Sequence, residues 1–198
     1  MIDKNIISKV RKFALDNSEP DDIHGFLHTE RVLKLCLHLG KNLDANLLIL
    51  MIAALLHDIG RNHKNKKTSN KNHAEISSEM ASKFLNSYDI RLSQEDFKNI
   101  IHSIRSHSFS NNSNPQTLEA KILSDADKLD ALGAIGLYRT IAFTVKNNGI
   151  IVDVINHLEE KIIKLKDKLY LDISKKIAKK RQKIILDFYD EIIGKNQF

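Results

Sequence analysis

His57 and Asp58 emerge from the end of an unbroken apolar run, Leu47-Leu48-Ile49-Leu50-Met51-Ile52-Ala53-Ala54-Leu55-Leu56. A segment apolar on every side reads as a helix buried all round. The pattern predicts it over Asp44–Asp58, with Asp44 as N-cap and Gly60 as the left-handed residue that closes it. Asp58 then stands in the last turn, where the negative end of the helix dipole disfavours a carboxylate. Burial also strips its hydration, which is costly unless a cation replaces the water. A metal ion would pair with Asp58, take His57 as a second ligand and offset the dipole. A plainer alternative fits the stretch equally well: Arg61 neutralises Asp58, and His57 is a capping donor.

Other polar residues interrupt apolar faces in the same way. His28 falls on the helical stripe of Val32, Leu35, Cys36 and Leu39, and Arg31 follows close enough to hold a phosphate. Asp125, Asp127 and Asp130 interrupt a run of Ile, Leu and Ala. On a helical wheel Ile122, Ala126, Leu129 and Gly133 share one face, Asp127 and Asp130 flank it on one side and Asp125 on the other. Spacing does not choose among the three. Two imidazoles and two carboxylates make a mixed nitrogen and oxygen site suited to Mn, Fe, Ni, Zn or Co, with Mg also allowed. Neighbours on a helix diverge by about 100°, so His57 and Asp58 can share an ion only at the helix end, where Ile59-Gly60 leaves room. Four protein ligands on an octahedral ion leave positions for water and substrate. Such an ion lowers the pKa of its water and polarises a phosphoryl oxygen.

The elements that must carry these residues are helical. A short amphipathic helix is predicted over 3–16, with Ile6, Val10 and Phe13 on one side, and a second over Ile23–Leu39, closed by Gly40. Arg61 to Asn70 is polar and basic and reads as a surface loop over whatever Asp58 faces. Asn72 and Glu75 form a capping-box pattern that opens a helix carrying Ile76, Met80 and Phe84. His73 begins it, where backbone N–H groups could also hold a phosphate. Ser93 caps a further helix with Phe97, Ile100, Ile101 and Ile104 as its core. His107 lies at the edge of that stripe, and His102 points away into solvent. Thr117 opens one long segment over Leu118–Gly136. After Gly149 come two helices, one burying Val154, Ile155, Leu158, Ile162, Leu165 and Leu169. The other buries Ile173, Ile177, Ile184, Ile185, Phe188 and Ile192.

Composition supports an all-α chain, since 7 Gly and 2 Pro in 198 residues leave little turn chemistry. A 42% hydrophobic content supplies a sizeable core, and a single domain over 1–198 is expected. The longest apolar run is too short to cross a bilayer. The N-terminus shows no signal-peptide pattern, and Cys36, the sole cysteine, excludes an internal disulfide. A cytoplasmic home is expected. The net charge of +6 allows an anionic partner. The late lysines, Lys175 to Lys183, spread around a polar face without interleaved aromatics and read as solvated, so neither nucleic acid nor a membrane is expected. Walker loops, dinucleotide-binding glycines and nucleophile elbows are absent from the sequence.

Taken together, the ordered motifs resemble the HD-domain metal-dependent phosphohydrolase superfamily, in its stand-alone bacterial and archaeal branch. The resemblance rests on His24-Gly25-Phe26-Leu27-His28-Thr29-Glu30-Arg31-Val32, Leu55-Leu56-His57-Asp58-Ile59-Gly60, His107-Ser108-Phe109-Ser110 and the stretch Leu118–Gly136. Similarity continues around Ala178–Arg181 and Phe188–Glu191, so it covers about residues 20–193. It implies a single-domain helical bundle with a core at about 20–145, and helices at 150–193 that complete the bundle or form a dimer surface. It also implies a divalent metal held by His28, His57, Asp58 and Asp127, the last chosen by alignment of Ala126-Asp127-Lys128-Leu129. Some relatives carry further histidines for a second metal, and His73 and His107 stand where these would be; they could instead bind phosphate or act as acid and base.

The implied reaction is attack by metal-bound hydroxide on a phosphoryl group of a nucleotide or other small phosphate ester or anhydride. Arg31, Arg61 and His107 are the expected substrate-binding residues, and Asp58, Asp130 and His73 the expected catalytic ones. One departure concerns the base: several nucleotide-cleaving relatives carry an acidic residue shortly after the doublet, where this chain has Arg61, Asn62 and His63. Two alternatives stand beside this reading: a two-iron oxygenase on an HD-like fold, and a non-catalytic module binding nucleotides or nucleic acid.

Overall fold

A computed structural model of the chain describes residues 4–62, 71–88, 90, 92–108 and 113–194. Among these, every regular element is helical: α1 Lys4–Asp16, α2 Phe26–Asn42, α3 Leu47–Leu56, α4 His73–Ser87, α5 Gln94–Ser106, α6 Leu118–Asp130, α7 Gly133–Lys146, α8 Ile151–His157 and α9 Asp172–Ile192. The protein is all-α. It forms two compact units, Met1–Ala126 and Asp127–Phe198, with the boundary inside α6. Among the described residues no helix is long and apolar enough to cross a membrane.

In the first unit α3 is the central helix, packed against α1, α2, α4 and α5. The sequence dictates this: seven of its residues, from Ile49 to Leu56, are buried, and none of its ten is charged. Each buried Leu or Ile stabilises the unit by roughly 1.5–3 kcal/mol through removal from water. Its N-cap is Asn46, not Asp44. The Asn46 carboxamide oxygen accepts from the N–H of Leu48 at 3.1 Å and of Ile49 at 3.3 Å. The Asn46 N–H in turn donates to Glu119 of α6 at 2.9 Å. Asp44 instead takes φ +52°, a left-handed turn that a short polar side chain tolerates while the chain reverses between α2 and α3.

Helix α2 starts at Phe26 rather than Ile23, because Asp21 draws the N–H groups of Ile23 and His24 into a turn. It also runs past Gly40 to Asn42. The capping box of Asn72 and Glu75 opens α4, and Ser93 caps α5 through the N–H of Asp96. Phe13 of α1 stacks on Phe84 of α4, with centroids 4.0 Å apart. His102 is not simply solvated: its Nε2 accepts from the Gln116 N–H at 2.9 Å, and burial lowers its pKa from 6.5. Most of the loop expected at Arg61–Asn70 lies outside the described residues, as do Phe109 and Ser110 of the third motif.

The second unit departs most from expectation. The stretch read as one segment over Leu118–Gly136 is two helices, broken at Ala131–Leu132, with Gly133 (φ +79°) opening α7. Glycine, with no Cβ, takes this positive φ without steric cost. α7 packs on α8 and α9. The first tail helix is regular only to His157. It continues as a widened turn over Leu158–Ile162 and a tight 3₁₀ stretch over Ile163–Lys168. The irregularity keeps Val154, Leu158, Ile162, Leu165 and Leu169 all buried. α9 buries Ser174, Ala178, Gln182 and Ile185, whereas Ile184 is 46% exposed.

Candidate metal centre

Both C-terminal ends of α3 and α5 present a histidine, and for the same local reason. The last carbonyls of a helix lack amide partners. His57, the residue after α3, points its Nδ1 at the Ala54 carbonyl, 2.7 Å away, and His107, the residue after α5, points its Nδ1 at the Ile104 carbonyl, 2.6 Å away. A carbonyl only accepts, so Nδ1 carries the proton in each ring and the neutral imidazole keeps its lone pair on Nε2. Ser124 of α6 donates to the His107 carbonyl at 2.9 Å and steadies that loop.

Both Nε2 atoms converge on Asp58. His57 Nε2 lies 3.3 Å from His28 Nε2 and 3.7 Å from Asp58 Oδ2, and His28 Nε2 is 3.5 Å from the same oxygen. On the other side of the carboxylate, the Nε2 atoms of His73 and His107 are each 3.5 Å from Asp58 Oδ1. His28, His57 and His107 are fully buried, and the Asp58 and His73 side chains are 3% and 12% exposed. The rings meet edge to face, with centroids 5.2 Å apart for His28–His57, 5.0 Å for His57–His107 and 5.4 Å for His73–His107.

This geometry suits a cation. Two buried acceptors, Asp58 Oδ1 and His107 Nε2, face one another with no hydrogen bond to either among the described residues. Buried polar atoms ordinarily find a partner, and lone pairs turned on each other are stabilised only by a positive charge between them. The ligand atoms form two groups, His28–His57–Asp58 and Asp58–His73–His107, each mutually within 4.8 Å. Two donors bonded at about 2.1 Å to one ion stand roughly 3.0–3.4 Å apart at octahedral or tetrahedral angles, close to the 3.3–3.7 Å observed. Asp58 belongs to both groups, one oxygen to each. The residues therefore fit a divalent metal, and the plainer alternative is realised alongside it: Arg61 Nε does pair with Asp58 Oδ2, at 2.5 Å, and His57 does cap its helix.

Burial by itself would raise the Asp58 carboxyl, but interactions led by the adjacent Arg61 guanidinium outweigh it and hold the pKa well below the ordinary carboxylate range. Asp58 is thus an anion whenever a metal could bind. Gly60 has a role other than the expected left-handed closure, for its φ is not positive. A Cβ there would meet the Ser77 nitrogen at 2.6 Å and the His73 carbonyl at 2.7 Å. Its own N–H donates to Ser77 Oγ at 2.9 Å. The missing side chain lets the start of α4, and so His73, approach Asp58.

The remaining expected site residues are placed as follows. Arg31 is half-buried on α2, one turn beyond His28. Asp127 and Asp130 belong to the second unit. Asp127 is half-buried and Asp125 fully buried. Asp130 is 3% exposed and accepts from Arg139 Nη1 at 2.7 Å. Sequence reasoning did not pick out Arg139, although it is the one charged residue between Gly133 and Val145. Nor did it see that His57 and His107 are the same device, a histidine just past the end of a core helix.

The HD domain family model matches residues 25–132, more than half of the chain. The chain belongs to the HD-domain family. It is similar to the YpgQ protein of Bacillus subtilis, 29% identical over 177 residues that cover 85% of this chain and 81% of that protein. The crystal structure of YpgQ in complex with ADP superposes with a TM-score of 0.78 at 24% identity, over 97% of this chain and 95% of that one. An HD-superfamily hydrolase from Bacillus thuringiensis gives a TM-score of 0.73 at 28% identity, over 97% of both chains. The protein thus has an HD-superfamily hydrolase fold with a cluster of histidines and an aspartate able to hold metal.

Proposed function

We propose that this HD-domain protein is a metal-dependent phosphohydrolase acting on a nucleotide or another small phosphate ester or anhydride. The observation that carries the reading is the pair of tautomer-locked imidazoles, His57 and His107, turned onto the two oxygens of a buried, ionised Asp58. His28, His57 and Asp58 would hold a divalent ion, with Asp127 as the further ligand that the family resemblance assigns. When bound, the ion supplies Lewis acidity, making a water more acidic and a phosphoryl group more electrophilic. The Arg61 guanidinium, already beside Asp58, offers a charge to substrate phosphate, and Arg31 is a second candidate for that role. Among the expected bases, His73 has its Nε2 3.5 Å from Asp58 Oδ1 and its ring partly open to solvent. Asp130 is engaged by Arg139, which favours a supporting role for it. The ADP complex of YpgQ supports a nucleotide as substrate.

The test is metal analysis of the purified chain joined to phosphate and pyrophosphate release from nucleotides with Mn, Mg, Co and Ni. Metal-dependent release that disappears in Asp58→Asn and Asp127→Asn is expected; full metal binding and activity in both variants would overturn the assignment. The second ligand group, Asp58, His73 and His107, favours a competing reading, a two-iron oxygenase. Two irons per chain with oxygen consumption, and no phosphate release with any metal, would select it.

A further inference from the structure

The two oxygens of Asp58 are not equivalent. Oδ2 faces the Nε2 atoms of His28 at 3.5 Å and His57 at 3.7 Å, and it also accepts from Arg61 Nε at 2.5 Å. Oδ1 faces His73 and His107, each at 3.5 Å, and has no hydrogen bond among the described residues. One of the two ligand groups, His28–His57–Asp58, therefore shares its carboxylate oxygen with a cation of the chain itself.

Building on the metal-dependent reading above, we propose that Arg61 is a displaceable counter-ion. It yields Asp58 Oδ2 to a divalent ion in the His28–His57–Asp58 group, and its guanidinium turns outward to a phosphate. Charge favours exchange over sharing. With metal–oxygen bonds of about 2.1 Å, an ion on Oδ2 would stand roughly 4 Å from Arg61 Nε. The Asp58 side chain is 3% exposed, so water does little to screen two like charges at that separation. One carboxylate charge balances the guanidinium alone, and unbalanced charge in a buried site is costly. The local fold permits the movement. The Arg61 N–H donates to the Asp58 carbonyl at 3.0 Å, so the turn holds the backbone while side-chain torsions carry the guanidinium. That side chain is 20% exposed, at the solvent edge of the cluster. A planar guanidinium also suits phosphate oxygens, which it holds by two parallel hydrogen bonds. The competing reading is that Arg61 stays and steadies a ligating carboxylate. Removal of such an outer partner weakens metal binding about 10–100-fold, whereas exchange predicts the opposite sign.

The experiment is a Co(II) titration of the full chain, read by the visible absorption of the bound ion. Arg61→Gln should bind Co(II) at least about 10-fold more tightly than the native chain. Arg105→Gln, which removes a guanidinium that is 59% exposed beside Glu75, controls for net charge and should stay within about 2-fold. Side-chain nitrogen NMR of the native chain gives a second reading that needs no substitution. The Arg61 Nε–H signal should move to the position of free arginine when diamagnetic Zn(II) binds, and move again on addition of methylphosphonate. Weaker or unchanged Co(II) binding in Arg61→Gln overturns the proposal and leaves the hydrolase reading standing. An Nε–H signal unmoved by bound Zn(II) overturns it as well, even if the variant fails to fold. A signal that moves with Zn(II) and then ignores methylphosphonate overturns the phosphate role. A native chain that binds neither ion overturns both the proposal and the reading beneath it.

Discussion

Replacing Asp58 by Asn keeps the shape of the side chain and removes the one feature both ligand groups share. Asp58 Oδ2 faces His28 and His57 and Oδ1 faces His73 and His107, at 3.5–3.7 Å. An amide replaces one of those oxygens by a donor and takes the negative charge from both groups. Loss of a residue that merely supports a metal ligand weakens binding about 10–100-fold, so loss of this shared ligand should cost at least about 100-fold. Metal at a hundred times its Kd stabilises a fold by about 2.7 kcal/mol, and a 100-fold rise in Kd reduces that to about 0.4 kcal/mol. For a chain of this size each kcal/mol moves Tm by roughly 2–4 °C. Addition of Mn or Ni should therefore raise the Tm of the native chain by roughly 5–10 °C and that of Asp58→Asn by about 1 °C. The assay is thermal unfolding with and without metal, alongside metal content by elemental analysis and helicity by circular dichroism. A well-folded Asp58→Asn that keeps the native metal content and the native Tm rise would refute the shared-ligand geometry.

Three further outcomes follow from particular contacts. Gly60→Ala forces a methyl within 2.6–2.7 Å of α4 backbone, so it should destabilise the chain by about 1–3 kcal/mol, read by urea unfolding; an unchanged midpoint would mean that α4 does not seat there. Arg139→Met leaves the Asp130 carboxylate buried without its 2.7 Å partner and should cost about 3–5 kcal/mol, with much of the loss recovered in Arg139→Met/Asp130→Leu; equal losses in the single and double variants would contradict this. His102 is held neutral in the fold by burial, its pKa lowered from 6.5, so the folded state binds fewer protons than the unfolded state just below that pH. Its contribution is complete above pH 6.5 and declines as pH falls towards the lowered folded value. The fall in stability between pH 7 and 5 should be shallower in His102→Gln, and identical slopes would refute the assignment.

Much of the candidate centre was legible in the residues themselves. A charged or imidazole side chain inside an apolar run is costly without a partner, which is why His28, His57 and Asp58 stood out, and α3 read as buried because no side of it is polar. The helix starts at Asn72 and Ser93 were legible because side-chain capping is local chemistry. The errors came where a local signal had two meanings. Asp44 and Asn46 are both good caps, and the tight reversal after α2 assigned the left-handed turn to one and the cap to the other. Gly60 looked like a helix stop, but it is a place where another helix comes close. Leu118–Gly136 carries helical spacing throughout, and the turn at Gly133 is set by the packing of α7 on α8 and α9, which no periodicity records.

The sequence by itself determined the helical class, the central apolar helix and the residue types able to cage a cation, because each follows from burial and hydrogen-bonding rules acting over a few residues. Only the tertiary structure decided that His73 and His107 join Asp58 and that both oxygens of one carboxylate serve two ligand groups. Those facts depend on where helices distant in sequence come together. A side chain's partners are set by the packing of the elements that carry it, whereas its chemistry is already present in the chain.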